Sequence, residues 1–219
     1  MKNIKKLPLV FCLILTVAIS PKNSKALSDI NSHWANNYIT ALSNRNVLHG
    51  YEDGTFKPDN NMTRAEFYAT INKLMRNTKN YKVTFEDVSK GDWYYDDVAK
   101  GIKAGFITPT TGRLNPNQNI TRKEVVEIIG IIYNLPENES ALNFSDSRGL
   151  SKTQRGYAGT LLRDGVISGM PDGTFRPDND ITRAEVSKII MQSLLVYGEP
   201  KSQPVSEAQI KFGPRSLYN

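Results

Sequence analysis

One pattern recurs three times with the same internal spacing, and it limits what this chain of 219 residues can become. The first copy reads Gly50-Tyr-Glu-Asp-Gly54-Thr-Phe56-Lys-Pro58, then Met62-Thr63-Arg64-Ala-Glu66-Phe67. The second reads Gly112-Arg-Leu114-Asn-Pro116, then Ile120-Thr121-Arg122-Lys-Glu124-Val125. The third reads Gly169-Met-Pro-Asp-Gly173-Thr-Phe175-Arg-Pro177, then Ile181-Thr182-Arg183-Ala-Glu185-Val186. Gly54, Gly112 and Gly173 each precede the Thr-Arg pair by nine residues, each Pro precedes that Thr by five, and successive Thr residues lie 58 and 61 apart. Constant spacing around variable filler marks a structural repeat, whose units cannot bury their apolar faces alone.

Each unit reads as helix, loop, helix. The first helices are expected to begin near Trp34, Trp93 and Thr153, with Trp34, Tyr38, Ile39 and Leu42 at helical spacing in the first copy. Gly, Asp and Pro supply the loops. Thr63, Thr121 and Thr182 start the second helices, each followed three residues later by Glu, the signature of a reciprocal capping box. Phe67, Ile71 and Leu74 then form an apolar stripe, as do Val125, Ile129 and Ile132, and Val186 and Ile190.

With Thr as N-cap, Arg64, Arg122 and Arg183 take the first helical position. A cation there opposes the helix dipole by a few tenths of a kcal/mol or more, roughly. Two offsets stay open. One is an internal partner among Asp29, Asp87 and Asp146, which open the three copies. The other is an anionic ligand, since a guanidinium at a helix N-terminus suits a carboxylate or phosphate. An Asp orienting a ligand-binding Arg would combine them. Trp34 and Trp93 carry a similar choice: the residue type favours a core anchor, while an exposed indole would stack on a sugar.

Composition decides the compartment. Five lysines and no acid lie in residues 1–26; without them the balance is 23 basic to 22 acidic residues, so the net charge of +6 gives little support to nucleic-acid binding. Lys2, Lys5 and Lys6, the apolar run Leu7 to Ile19, and Ser24-Lys25-Ala26 read as a signal peptide cut after Ala26. An uncleaved anchor is disfavoured by the short run, and lipidation of Cys12 by the Phe11 before it. Cleavage removes the only cysteine, so the mature chain is expected to hold no disulfide, no thiol nucleophile and no Cys-bound metal.

These motifs closely resemble the S-layer homology family, whose loop and helix start are matched almost residue for residue by Gly169–Pro177 and Ile181–Glu185. The resemblance covers residues 27–197. It implies a mainly α fold: three helix-loop-helix repeats in a pseudo-threefold arrangement around a central helical bundle. It divides the chain into a signal peptide (1–26), repeats at 27–80, 81–140 and 141–197, and a flexible tail at 198–219. It also implies non-covalent attachment to secondary cell-wall polysaccharide, often bearing pyruvate ketals, held in grooves between repeats. The family's ligand arginine falls on Arg64, Arg122 and Arg183. Trp34 and Trp93 would line grooves, with Asp29, Asp87 and Asp146 beside the arginines. The second copy departs at Thr110-Thr111-Gly112 and Lys123, and the third has Thr153 where Trp is expected. The three sites are therefore expected to be unequal, with Arg64 and Arg183 as the principal contacts and Arg122 a weaker one.

Other functions fit less well. The 22 residues after Tyr197 leave no room for a catalytic domain, and His33 and His49 lack a nucleophile partner. Asp96-Asp97 reads as a solvated face. Counting from Asp178 puts Arg183 and Ile189 where a calcium loop needs Gly and Glu, which excludes an EF-hand through Asp172, Asp178 and Asp180. The expectation is a monomeric, wall-bound, non-enzymatic module at the bacterial cell surface, without cofactor, nucleic-acid partner or membrane contact after cleavage. A small wall-coating protein, or the remnant of a longer wall-anchored enzyme, is the alternative.

Overall fold

The computed structural model describes residues 27–201, so the signal-peptide expectation, Cys12 and most of the tail lie outside the described residues. Helices α1 (Asn36–Asn44), α2 (Arg64–Met75), α3 (Tyr95–Ala104), α4 (Arg122–Ile132), α5 (Lys152–Arg163) and α6 (Arg183–Tyr197) alternate with loops, and a short 3-10 turn spans Ser145–Gly149. Extended pairing among the described residues consists of three isolated antiparallel bridges. None of the described helices is long and apolar enough to cross a membrane.

The capping boxes form as read. In α2, α4 and α6 the N-cap Thr N–H donates to the carboxylate of Glu66, Glu124 or Glu185 at 2.8–2.9 Å. The apolar stripes are buried, Phe67, Ile71, Val125, Ile129, Val186 and Ile190 completely so. The first helices start differently. α1 and α3 begin two residues after the Trp, because residues 30–36 and 89–95 form turns in which His33 N–H meets Ile30 O and Asp92 N–H meets Ser89 O. The buried anchors are therefore Ala35 and Tyr94, one residue on, while Trp34 and Trp93 stay 56% and 63% exposed. The core-anchor reading of the tryptophans is thus corrected by a change of phase at the helix start.

Second helices pack on the first helix of the next copy: α2 on α3, α4 on α5, and α6 back on α1. The close approach of α4 and α5 requires Gly130, where an added Cβ would lie 2.2 Å from the Tyr157 ring. Main-chain bonds close the same ring of repeats. Met62 N–H donates to Ile181 O, Ile181 N–H to Ile120 O, and Ile120 N–H to Met62 O, at 2.9–3.2 Å. The residues after α6 continue this closure: Tyr133 Oη donates to Gly198 O, and Arg45 pairs with Glu199.

Candidate inter-repeat binding site

Each second helix points its N-terminus at a loop of a neighbouring repeat. The N–H of Arg64 donates to Gln118 O, that of Arg122 to Asn179 O and that of Arg183 to Asn60 O, all at 2.9 Å. The next N–H donates to Pro116 O, Pro177 O or Pro58 O. These are the donors a helix N-terminus would offer an anion, and the protein has already used them. A charged ligand at these junctions would therefore have to be met by side chains and not by these N–H groups.

The loops themselves are held by the early aspartates. Asp29 accepts from Phe56 N–H and Lys57 N–H at 2.8 and 2.7 Å. Asp87 accepts from Leu114 and Asn115 at 2.8 Å, and Asp146 from Phe175 and Arg176 at 2.8–3.1 Å. Lys57, Asn115 and Arg176 have φ of 54–56°, a left-handed conformation that is unfavourable for a non-glycine residue before proline. The carboxylates hold that strained turn. Burial raises their pKa, but the backbone donors outweigh it, and all three sit below the ordinary aspartate value. The expected direct pairing of these aspartates with the motif arginines is therefore corrected. At one junction the link is indirect: the Phe56–Lys57 peptide accepts from Arg183 and donates to Asp29.

The arginines meet the neighbouring repeat instead. Arg183 reaches repeat 1, where Nε donates to Phe56 O at 2.9 Å and Nη2 to His49 O at 2.8 Å. Its Nη1 lies 3.6 Å from Glu66, and its guanidinium stacks on Tyr51 and Phe56. Arg122 reaches repeat 3, donating from Nη2 to Ser168 O at 2.6 Å under the Phe175 ring. Its Nε is buried without a hydrogen-bond partner among the described residues. Burial lowers the pKa of both, opposed by Tyr51, Glu66 and Asp29 around Arg183 and by Glu185 near Arg122. Arg64 reaches repeat 2: Nε donates to Glu124 at 2.8 Å, and Nη1 makes long contacts to Gln118 Oε1 (3.3 Å) and Asn115 O (3.4 Å). Residue exposure is 3% for Arg183 and 6% for Arg122, whereas the Arg64 side chain is 17% exposed.

Two junctions carry an exposed tryptophan near the arginine's loop. Trp93 abuts Tyr94, whose hydroxyl accepts from Asn117 beside Gln118. Trp34 abuts His33, which bonds Asp59 through Nε2 while its Nδ1 accepts the Ala35 N–H. Thr153 stands buried in α5 at the third junction. Asp172 bonds Thr174 and Arg176, Asp178 pairs with Lys123, and Asp180 accepts from Asn61 and Asn119, so these acids point to different partners. Sequence reasoning missed Tyr51, Gln118 and the second carboxylate oxygens of Glu66 and Glu124. Their partners lie in other copies, and the only available signal was that residue 51 is aromatic where the other copies have Pro109 and Met170.

The S-layer homology domain model matches residues 26–67, 84–126 and 143–187. The chain is 34% identical over 172 residues to an amylopullulanase of Thermoanaerobacterium thermosulfurigenes, covering 76% of this chain and 9% of that protein. It is 34% identical over 166 residues to a cellulosome-anchoring protein of Acetivibrio thermocellus, covering 67% of this chain and 35% of that protein. It is 25% identical over 201 residues to an S-layer protein of Bacillus thuringiensis subsp. finitimus, covering 86% of this chain and 24% of that protein. The chain thus spans a small part of each of these relatives.

Proposed function

The chain belongs to the S-layer homology domain family, and from that premise we propose that it attaches non-covalently to the bacterial cell wall by holding an acidic secondary wall polysaccharide, of the pyruvate-bearing kind, between its repeats. The observation that carries this reading is that two indoles stand exposed at inter-repeat junctions: Trp93 against Tyr94, whose hydroxyl accepts from Asn117 next to the Gln118 that Arg64 reaches, and Trp34 against His33, which bonds Asp59 next to the Asn60 carbonyl that the Arg183 N–H meets. An indole in water offers a sugar an apolar face, and a guanidinium offers its acid a planar fork. The relatives named for S-layer and cellulosome anchoring support a place at the cell surface. The similarity to an amylopullulanase extends over only 9% of that enzyme, which supports a non-catalytic role for the shared repeats.

On this reading residues 1–26 direct export, and repeats at 27–80, 81–140 and 141–197 form a monomeric anchor. The mature chain begins at Leu27, which N-terminal sequencing of wall-bound protein checks. The functional test is co-sedimentation of the full chain with protein-free wall sacculi, before and after chemical removal of pyruvate ketals. Binding lost with the ketals supports the proposal. Equal binding to both preparations refutes the acidic-group part, and no sedimentation with either refutes wall attachment.

A further inference from the structure

Two of the three first helices carry a strap. The segment that follows α2 crosses α3, where Tyr81 N–H donates to Ala99 O at 3.0 Å and Lys103 lies over the Tyr81 ring. The segment that follows α4 crosses α5 at the same level. There Asn138 N–H donates to Gly156 O, Thr160 Oγ1 donates to Pro136 O, and an added Cβ at Gly159 would lie 2.1 Å from Asn138 O. Ala99 and Gly159 are buried. They stand six residues after Trp93 and Thr153, and the residue six after Trp34 is Thr40 in α1. Thr40 is exposed, and among the described residues no strap is bonded across it. We propose that the chain leaving α6 supplies the corresponding strap: residues 202–212 cross α1 at Thr40 and Ala41, with Ala208, Ile210 and Phe212 turned onto the edge between α1 and α6.

Each strap leaves the second helix that packs on the helix it crosses, α2 for α3 and α4 for α5. α6 packs on α1, so the chain leaving α6 holds the equivalent position. It already starts along that path, because Glu199 pairs with Arg45 at the end of α1 and Pro200 is buried. Arg45 lies five residues beyond Thr40, about 7.5 Å along the helix. Eleven extended residues reach about 36 Å, ample for the crossing. The edge is also apolar on the α6 side. Leu195 and Val196, in the last turn of α6, are 70% and 45% exposed. They fall between Gln192, which donates to Tyr38 Oη, and Glu199, so they border α1. Neither takes part in the inter-repeat site.

Two segments could reach α1, one from each side of the repeats, and their residue patterns differ. The strap over α3 alternates as Tyr81-Lys-Val83-Thr-Phe85, with Tyr81 and Val83 half-buried, Phe85 buried, and Lys82 and Thr84 exposed. Ala208-Gln-Ile210-Lys-Phe212 repeats that alternation. The residues ahead of α1 do not: counted back from Asp29 as from Asp87, Asn23 and Lys25 fall where Tyr81 and Val83 stand. The residues expected as a flexible tail thus include a piece of the folded unit, whatever ligand the repeats hold.

Hydrogen exchange of the full chain, read by mass spectrometry on peptides covering residues 205–212, tests the strap. Exchange there is expected to run at least about tenfold slower than in an unstructured chain. The double variant Ile210→Asp, Phe212→Asp should restore the unstructured rate. Leu195→Asp should do the same, although a substitution at so exposed a position otherwise changes little. In a Cys12→Ser background, Thr40→Cys with Ile210→Cys should close an intrachain disulfide under mild oxidation, and Lys90→Cys with Ile210→Cys, which probes repeat 2, should not. The proposal is overturned if residues 205–212 of wild type exchange at the unstructured rate. It is equally overturned if their protection survives Leu195→Asp and the Thr40 pair fails to cross-link, which places the segment elsewhere. Protection that grows with protein concentration would assign the edge to a second copy of the chain and overturn it too.

Discussion

Removing Arg183 should damage the fold far more than removing Arg64, although the two occupy the same position in the same motif. Arg183→Ala strands the carbonyls of Phe56 and His49, which accept from Nε and Nη2 at 2.9 and 2.8 Å. An unsatisfied buried acceptor costs about 1–3 kcal/mol. The arginine is 3% exposed and stacks on two rings, so its loss also leaves packing unfilled. With water reaching part of the gap, the total comes to about 3–5 kcal/mol. Arg64→Ala breaks a partly exposed ion pair with Glu124 and two long bonds, a loss of about 1 kcal/mol. For a domain of this size a kilocalorie moves the unfolding temperature by about 2–4 °C. The two variants should therefore differ by roughly 5–15 °C. Calorimetry and urea titration of the full chain measure this. Unfolding temperatures within about 2 °C of each other would refute the claim that Arg183 closes the ring of repeats.

Three further outcomes are expected. Trp34→Ala and Trp93→Ala should each change stability by less than about 1 kcal/mol, because both indoles are mostly in water, yet weaken sacculus binding; unchanged binding by the double variant would remove them from the site. Stability should fall in acid because Asp29, Asp87 and Asp146 have lowered pKa values in the folded state: their contribution is complete above the unfolded aspartate value of about 3.9 and is lost as pH drops through the folded values. Urea midpoints between about pH 2 and 6 should show a smaller acid slope for Asp87→Asn than for wild type. Deleting residues 141–197 should abolish cooperative unfolding of the remainder, since Met62, Arg122 and Lys123 lose their main-chain acceptors Ile181, Asn179 and Pro177, and α1 loses α6; a sharp two-state transition in the fragment would contradict this.

How far the site could be read in advance depends on how far apart its members lie. Thr63 and Glu66, or Thr182 and Glu185, meet within one helical turn, so their capping boxes follow from the residues alone. The tryptophans were legible as aromatic positions but not in their exposure. A turn ahead of α1 and α3 shifts the buried position by one residue, and helical periodicity says nothing about where a helix begins. Asp29, Asp87 and Asp146 stood out as acids near each copy's start. Their partners are backbone donors 27–30 residues away, and no side-chain pattern marks a strained peptide.

By itself, then, the sequence determined the number of repeats, the starts of the second helices, the stripes they bury and the unfavourable cation at each helix entrance. These depend on spacing and on contacts within a turn. Tertiary structure alone decided what each cation became. Arg183 meets carbonyls 127 and 134 residues away beneath Tyr51, Arg122 slides under Phe175, and Arg64 opens toward Gln118 because the second copy has no ring to cover it. The difference between a clamp and an open guanidinium is a matter of desolvation, set by which loop of another repeat lies over the side chain.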